Sequence, residues 1–347
     1  MAKNVIVVTG GCGYLGSHTI VELMMNGFDV VSIDNHSRSS PLVPEKIYKI
    51  TGSKFYNFGI DLCSKLEVVN FFQSVHGIAG IIHFAAFKSV PESMSHPEIY
   101  YNNNIMSLVN VLEAGSAAGI NNAVFSSSCS VYGDINQLPV SEDTALSPSK
   151  SPYATTKIMG ELIMRDMAVA RNLNVMCLRY FNPVGAHPSG LIGEMPLSVP
   201  DNLVPVITQT AIGKREQMTV FGGSLSTRDG SCIRDYVHVM DIARAHVLAM
   251  KYLQSRSNVL ETLNLGTGVG VSVLEAINAF EEVSGKQLKY SIGDPRPGDV
   301  VEIYSNASKA KRILGWQAEY SIRDMMQSAW MWELELSKQN HIPTIHD

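Results

Sequence analysis

The sequence has no block of basic residues, and charged side chains make up only 17% of its 347 positions, with a formal net charge of -5. A nucleic-acid partner, which needs a concentrated basic face, is therefore not expected. No apolar run approaches the ~18 residues of a membrane span, so no membrane association is expected. Cysteine is scarce. Its five occurrences (Cys12, Cys63, Cys129, Cys177 and Cys232) are odd in number and widely spaced, with no C-x-x-C pair. Neither a disulfide framework nor a zinc site is suggested, and reduced thiols in the cytoplasm are the expectation. The opening run MAKNVIVVTGG holds one lysine and a stretch of four apolar residues before Thr9. That is too short for a secretory core and reads as a strand. Internal repeats and charged or Ser/Gly-rich linkers are also missing. Apolar material is plentiful, at 45%. That suffices for the buried core of one large or two ordinary domains.

Short β-branched runs alternate with helical patterns through the first half. The spacing predicts strands over residues 4–9, 29–34, 55–60, 80–85, 122–127 and 174–180. Helices are expected between them, over 14–26, 64–74, 97–119 and 152–171. Such alternation implies an α/β fold with a parallel sheet covered on both faces, and right-handed crossovers favour a doubly wound (Rossmann) sheet. Beyond Asn182 the pattern breaks into a Gly- and Pro-rich stretch, where substrate contacts tend to be carried. A helix over 203–213, a strand over 218–221, a helix over 238–253 and a buried strand over 263–265 follow. The expected partition is a dinucleotide-binding domain from 1–182 plus 236–267, and a smaller, discontinuous substrate domain from 183–235 plus 268–347.

The first strand runs into T-G-G-C-G-Y-L-G, which places Gly10, Gly13 and Gly16 in a G-x-x-G-x-x-G turn. Glycines there permit a tight turn and a close backbone approach to a pyrophosphate, and the next helix offers its N-terminus to the phosphates. The turn alone is weak evidence. Its context is stronger, because a strand precedes it, a helix follows, and Asp34 ends the second strand eighteen residues after Gly16. A carboxylate at that place bonds ribose hydroxyls and repels a 2′-phosphate, which favours NAD over NADP. Asp61, just past the third strand, suits either the adenine edge or a helix N-cap.

Tyr153 and Lys157 stand at i and i+4 in the run S-P-Y-A-T-T-K, after a strand that ends in Ser126-Ser127-Ser128. The two side chains share one helix face. A free tyrosine titrates near ~10, so poising it near neutrality needs about three units, or ~4 kcal/mol. The Lys157 ammonium and the charge of an oxidised nicotinamide are suited to supply this. Tyr153 is the candidate base, Lys157 its electrostatic partner, and Ser128 the hydroxyl that steadies the substrate oxygen. His18, His83, His187 and His238 form no ligand spacing, and no metal is expected.

The segments TGGCGYLGSH, IDNHS, HFAAFKSVPES, FSSSCSVYG, SPYATTK, LRYFNPVGAHPSG, PDNLVP and IRDYVHVMD occur in this order. Together they resemble the UDP-glucose 4-epimerases (UDP-galactose 4-epimerases) of the extended short-chain dehydrogenase family, from residue 5 to about residue 330. The resemblance implies further NAD contacts at Tyr14, Leu15, Asn35, Leu62, Phe84, Ala85, Ala86, Lys88, Asn103, Ser126 and Tyr180. It implies UDP-sugar contacts at Lys88, Asn182, Asn202, Leu203, Arg234, Arg296 and Asp299. Two arginines suit a diphosphate, because the guanidinium fork donates in pairs. In the family a bulky residue at the position of Ile303 restricts the sugar pocket, and a small one admits an N-acetyl group. A homodimer through residues 97–119 and 152–171 is also implied.

The chemistry is consistent with that resemblance. A C–H bond beside a sugar hydroxyl is not acidic, so inversion by simple deprotonation is implausible. Oxidation to a ketone removes the stereocentre, and return of the hydride to the opposite face inverts it. Dehydratases of the family carry Asp-Glu where Cys129-Ser130 follow Ser128, and decarboxylases commonly place a Glu at the Ser130 position. The absence of an acid at both places disfavours elimination. Rival readings are a net alcohol dehydrogenase, which must exchange its cofactor every turnover, and a non-catalytic NAD-binding scaffold, which has no need to keep Tyr153, Lys157 and Ser128 together.

Overall fold

The computed structural model describes residues 4–135, 137–196, 200, 202–295 and 300–339. The first half forms β1 (Val5–Thr9), α1 (Tyr14–Met25), β2 (Asp29–Ile33), α2 (Val43–Thr51), β3 (Tyr56–Phe58), α3 (Lys65–Ser74), β4 (Ile78–His83), α4 (Val90–Ser95), α5 (Pro97–Ala117), β5 (Asn122–Ser128), α6 (Pro152–Arg171) and β6 (Asn174–Tyr180). The second half adds β7 (Asn182–Val184), α7 (Leu203–Ala211), β8 (Met218–Phe221), β9 (Ile233–Arg234), β10 (Tyr236–His238), α8 (Val239–Gln254), β11 (Leu260–Leu265), β12 (Val271–Ser272), α9 (Val273–Ser284), β13 (Tyr290–Gly293), β14 (Glu302–Ile303), α10 (Ser308–Leu314) and α11 (Ile322–Gln339).

Seven strands pair in the order β11-β6-β5-β4-β1-β2-β3, all parallel. This is the expected doubly wound sheet. Its strand order reverses between β1 and β4, so a crevice opens beyond their carboxyl ends, where ligands bind in such folds. β4 begins two residues earlier than the sequence pattern suggests and stops at His83. All six of its residues are buried, which is the burial of a central strand. Phe84 and Ala85 leave the sheet to abut the Gly10 turn.

α6 is the helix that carries Tyr153 and Lys157. The Ser151 side chain caps it by accepting from the Ala154 N–H at 3.2 Å, Pro152 occupies its first turn, and Asn172 closes it in the left-handed conformation. Its buried stripe includes Tyr153, Lys157, Gly160 and Met164. A Cβ at Gly160 would fall 2.4 Å from the Phe125 ring, so the glycine is what allows α6 to lie so close to β5.

Two main cores result. The first covers one face of the sheet with Ile6, Val8, Val124, Met176, Leu178 and Leu263, while two smaller clusters, around Val7, Ile33 and Ile81 and around Ala123, Phe125 and Val175, cover the other face. The second joins Ile207, Met218, Val220, Ile277, Phe280 and Met326. The partition drawn at residue 268 does not coincide with this packing. Ile303, Ala310 and Trp316 are buried in the first core, because α10 packs on β11 and α8. Tyr236 conversely belongs to the second. β7 and β10 pair in parallel where the two cores meet.

Candidate active site

Lys157 is 4% exposed and Tyr153 7% exposed, so both ends of the pair are taken out of water. The Lys157 Nζ donates to the Ser126 carbonyl at 2.6 Å and lies 5.9 Å from the centre of the Tyr153 ring. The Ser128 hydroxyl and Tyr180 act on the Tyr153 phenol as hydrogen-bonding and electrostatic neighbours, and Ser126 Oγ donates to Tyr180 Oη at 3.1 Å. The expected trio of Ser128, Tyr153 and Lys157 is thus brought together, with Ser126 and Tyr180 beside it. The electrostatics differ from expectation. Burial, with Tyr180 adding to it, pushes the Tyr153 phenol well above its ordinary 10, and only the Ser128 hydrogen bond opposes. Burial pulls Lys157 down to about 8, with Glu161 opposing. Desolvation disfavours whichever form is charged, so these side chains alone hold the proton on the phenol.

The glycine turn forms a cradle with no room for side chains. Gly10 has φ +67°, and a Cβ there would meet the Ala85 nitrogen at 2.8 Å. A Cβ at Gly16 would meet the Gly10 carbonyl oxygen at 2.2 Å. Gly13 stands at the start of α1 and offers an extended backbone to the helix N-terminus. Asp34 folds back on the turn, accepting from the Cys12 N–H at 2.9 Å, the His36 N–H at 3.0 Å and the Ser39 hydroxyl at 2.8 Å. A bare cradle, a helix N-terminus and a carboxylate at the end of β2 fit the pyrophosphate and ribose of a dinucleotide.

Other expected cofactor contacts spread around this turn. Phe84 packs on His246 with ring centres 4.6 Å apart, Ala85 N donates to Thr9 Oγ1 at 3.4 Å, and Ala86 is half-buried beside them. Leu15 packs against the first core, whereas Leu62 is buried among Ile33, Val68 and Phe71. Asn35 and Asp61 are exposed and accept from the N–H groups of Ser37 and Cys63. Ser64, not Asp61, occupies the N-cap of α3, so a capping role for Asp61 is not realised. In the run Asn102-Asn103-Asn104 it is Asn104 that points inward. It holds both backbone groups of Phe87 and the Thr156 hydroxyl, while Asn103 donates to Asn104.

On the substrate side, a cavity of about 220 Å³ is lined by Asn182, Asn202, Leu203, Phe221, Arg234 and Tyr236. Asn182 Oδ1 is buried there without a hydrogen-bond partner. A buried, unpaired amide oxygen costs stability and points to a ligand that satisfies it. The Arg234 guanidinium meets the carbonyls of Ile233 and Val301 and, among the described residues, no carboxylate. Lys88 bonds Glu194 at 2.7 Å, and Glu194 also accepts from Asn202 at 2.7 Å. Ile303 pairs in register with Arg234 and is 6% exposed. Arg296 and Asp299 lie outside the described residues.

Sequence reasoning missed several contacts. Tyr14 donates to the Gly185 carbonyl at 2.6 Å, linking the glycine turn to the loop after β7. Glu194 links Lys88 to Asn202. Glu161, four residues past Lys157, is the acid that steadies the ammonium, and its helical spacing was the available signal. Among the described residues no group of three or more His, Cys, Asp or Glu side chains is placed to hold a metal, and none of the five cysteines is in a disulfide. Beside Ser128, burial pushes the Cys129 thiol up to about 12, and Ser130 Oγ is buried without a partner.

A doubly wound sheet with a glycine cradle at its switch point and a buried Tyr–Lys pair beside a serine defines a dinucleotide-dependent enzyme of the short-chain dehydrogenase type. Comparison with known proteins narrows this. The family profile described as GDP-mannose 4,6 dehydratase matches residues 7–329. A UDP-glucose 4-epimerase of Bacillus subtilis (strain 168) is 44% identical over 329 residues, 94% of this chain and 96% of that one. A UDP-glucose-4-epimerase structure from Stenotrophomonas maltophila, with bound NAD and formylated UDP-arabinopyranose, is 42% identical, with a TM-score of 0.93 over 96% of this chain and 99% of that one. Another from Bifidobacterium longum, in complex with NAD+ and UDP, is 40% identical, with a TM-score of 0.91 over 95% and 98%. The chain belongs to the UDP-glucose 4-epimerases of the extended short-chain dehydrogenase family.

Proposed function

We propose that this protein is an isomerase that interconverts UDP-glucose and UDP-galactose, with NAD held through the cycle. The single observation that carries the mechanism is the buried cluster of Tyr153, Lys157 and Ser128 at the carboxyl end of β5 and the first turns of α6, facing the crevice beside the glycine cradle. NAD, when bound, would supply reversible hydride acceptance and a positive ring charge at the site. Gly10, Gly13, Gly16 and the start of α1 would hold its pyrophosphate, and Asp34 its ribose.

Tyr153 takes the proton of the 4-hydroxyl as the transient 4-keto sugar forms, and gives it back to the same oxygen when the hydride returns to the other face of the carbon. Ser128 donates to the same sugar oxygen and steadies it through both half-reactions. Lys157, fixed by the Ser126 carbonyl, keeps a cation beside the phenol. Asn182, Asn202, Leu203 and Arg234 hold the nucleotide and diphosphate, so the sugar turns while its anchor stays in place. With Cys129 and Ser130 where a dehydratase has acids, no carboxylic acid stands after Ser128 to protonate a leaving group. Lys88 and Asn103 are assigned to the cofactor side on the resemblance alone.

We infer a homodimer through the outer faces of α5 and α6, where Tyr101, Met106, Leu162 and Val169 are exposed. A cytoplasmic setting is inferred from five cysteines that form no disulfide, and among the described residues no helix is long and apolar enough to cross a membrane. The test of the activity is incubation of dialysed protein with UDP-galactose and no added cofactor. Formation of UDP-glucose supports the reading. No conversion, or conversion only when NAD is supplied in stoichiometric amounts, contradicts it.

A further inference from the structure

Tyr153, Lys157 and Glu161 follow one another at single-turn spacing, so all three project from one face of α6. The mechanism above uses the first two. Glu161 pairs with Arg179, their side chains 13% and 8% exposed. Arg179 donates to it from Nε at 2.9 Å and from Nη2 at 2.7 Å, a bidentate fork, and the Ser127 hydroxyl donates at 2.5 Å. One carboxylate therefore ties α6 to β5 and to β6. Both anchors are chain neighbours of groups at the reaction centre, because Ser127 lies between Ser126 and Ser128, and Arg179 precedes Tyr180. On its far side Arg179 donates to Tyr132 Oη at 3.1 Å, and Tyr132 donates to Asn264 at 2.6 Å, so the anchor is itself braced.

We propose that Glu161 is a positioning residue for the epimerisation. By clamping Ser127 and Arg179 it sets where Tyr153 and Lys157 stand relative to Ser128 and Tyr180, and its charge keeps Lys157 an ammonium. The inference rests on the reading of Tyr153 and Lys157 as base and electrostatic partner. The groups that face the pair are Ser126 and Ser128 on β5, Cys129 just past it, Tyr180 and Arg179 on β6, Tyr100 on α5 and His83 on β4. Burial holds His83 uncharged at about 3 and pushes the phenols of Tyr100 and Tyr180 up. Among the described residues Glu161 is thus the one anion acting on Lys157, and it opposes the burial that pulls the ammonium down to about 8.

The test uses the NAD-loaded enzyme and compares Glu161→Gln and Glu161→Asp with wild type in UDP-galactose turnover across pH. In the Gln variant the alkaline fall in kcat should begin at lower pH. The loss between pH 7 and pH 9 should be about threefold to fivefold larger than in wild type, about fivefold marking a midpoint one full unit lower. KM should change by less than about twofold, since no substrate contact is removed. The Asp variant, which keeps the charge, should recover most of the profile. If the unpaired Arg179 prevents folding, Glu161→Gln combined with Arg179→Met removes both charges, and its limb should be displaced in the same direction by a smaller amount. Titration of the Lys157 ε-carbon by 13C NMR in the same proteins needs no turnover. A lowered lysine midpoint supports the proposal even if the substrate proves to be another sugar nucleotide. An unchanged lysine midpoint with an unchanged limb overturns it, whereas absence of UDP-galactose turnover in wild type overturns the epimerase reading alone.

Discussion

Lys157 Nζ lies 2.6 Å from the carbonyl oxygen of Ser126. The bond fixes the Lys157 ammonium to the strand that ends in Ser128, and so fixes the helix-borne pair relative to the hydroxyl on the strand. The approach depends on Gly160, where a Cβ would fall 2.4 Å from the Phe125 ring.

Gly160→Ala should therefore push α6 away from β5. The expected cost is about 1–3 kcal/mol of stability, typical of overpacking a filled interior. Turnover should fall by more than the loss of folded protein explains, because Lys157 is withdrawn from Ser126. Urea unfolding together with turnover per folded molecule separates the two effects.

Tyr153→Phe removes the phenolic oxygen and leaves the ring. Its fold and retention of NAD through dialysis should be unchanged, with turnover lower by roughly 10²–10⁴-fold, the usual contribution of a general acid–base group. Nicotinamide released on denaturation and kcat for UDP-galactose are the two readings.

Asn182→Ala removes an amide whose Oδ1 has no partner inside the protein. Stability should change little, since no internal hydrogen bond to that oxygen is lost. KM for UDP-galactose should rise roughly fivefold to tenfold, the scale of one hydrogen bond of about 1–1.5 kcal/mol. NAD retention should be unaffected, which a dialysis assay checks.

Much of this site was legible because its parts lie on regular elements. α6 and β6 have the bounds that their periodicity predicts, and Tyr153, Lys157 and Ser128 meet because a buried helix stripe faces a strand end. α2 was less visible because Pro41 and Pro44 flank its start. Yet Pro44 falls in the first helical turn, where a missing N–H costs nothing. The strands β9, β12 and β14 have two residues each, too few for any alternation to show. Tertiary pairing makes them strands. The desolvation of the pair was not legible in the sequence, because its size is set by packing that no spacing reveals.

Acid should destabilise the fold through its buried histidines. Burial holds His18 and His83 at about 3 and His238 and His246 at about 4, all below the ordinary 6.5. Below about pH 6.5 the unfolded chain binds more protons than the folded one, so stability present above that pH is lost as pH falls towards these values. Each group contributes up to about 1.4 kcal/mol per pH unit. Urea midpoints measured from pH 7 to pH 5 should fall steeply, and a flat profile would show that these imidazoles are solvated.

The central claim is that hydride is taken from the sugar and returned to it with no exchange into water. UDP-galactose carrying deuterium at carbon 4, converted by dialysed enzyme in ordinary water, tests this most directly by NMR or mass spectrometry of the product. The expected result is UDP-glucose with the deuterium still at carbon 4. Loss of the label to solvent at the rate of conversion would contradict it and point to proton abstraction from carbon.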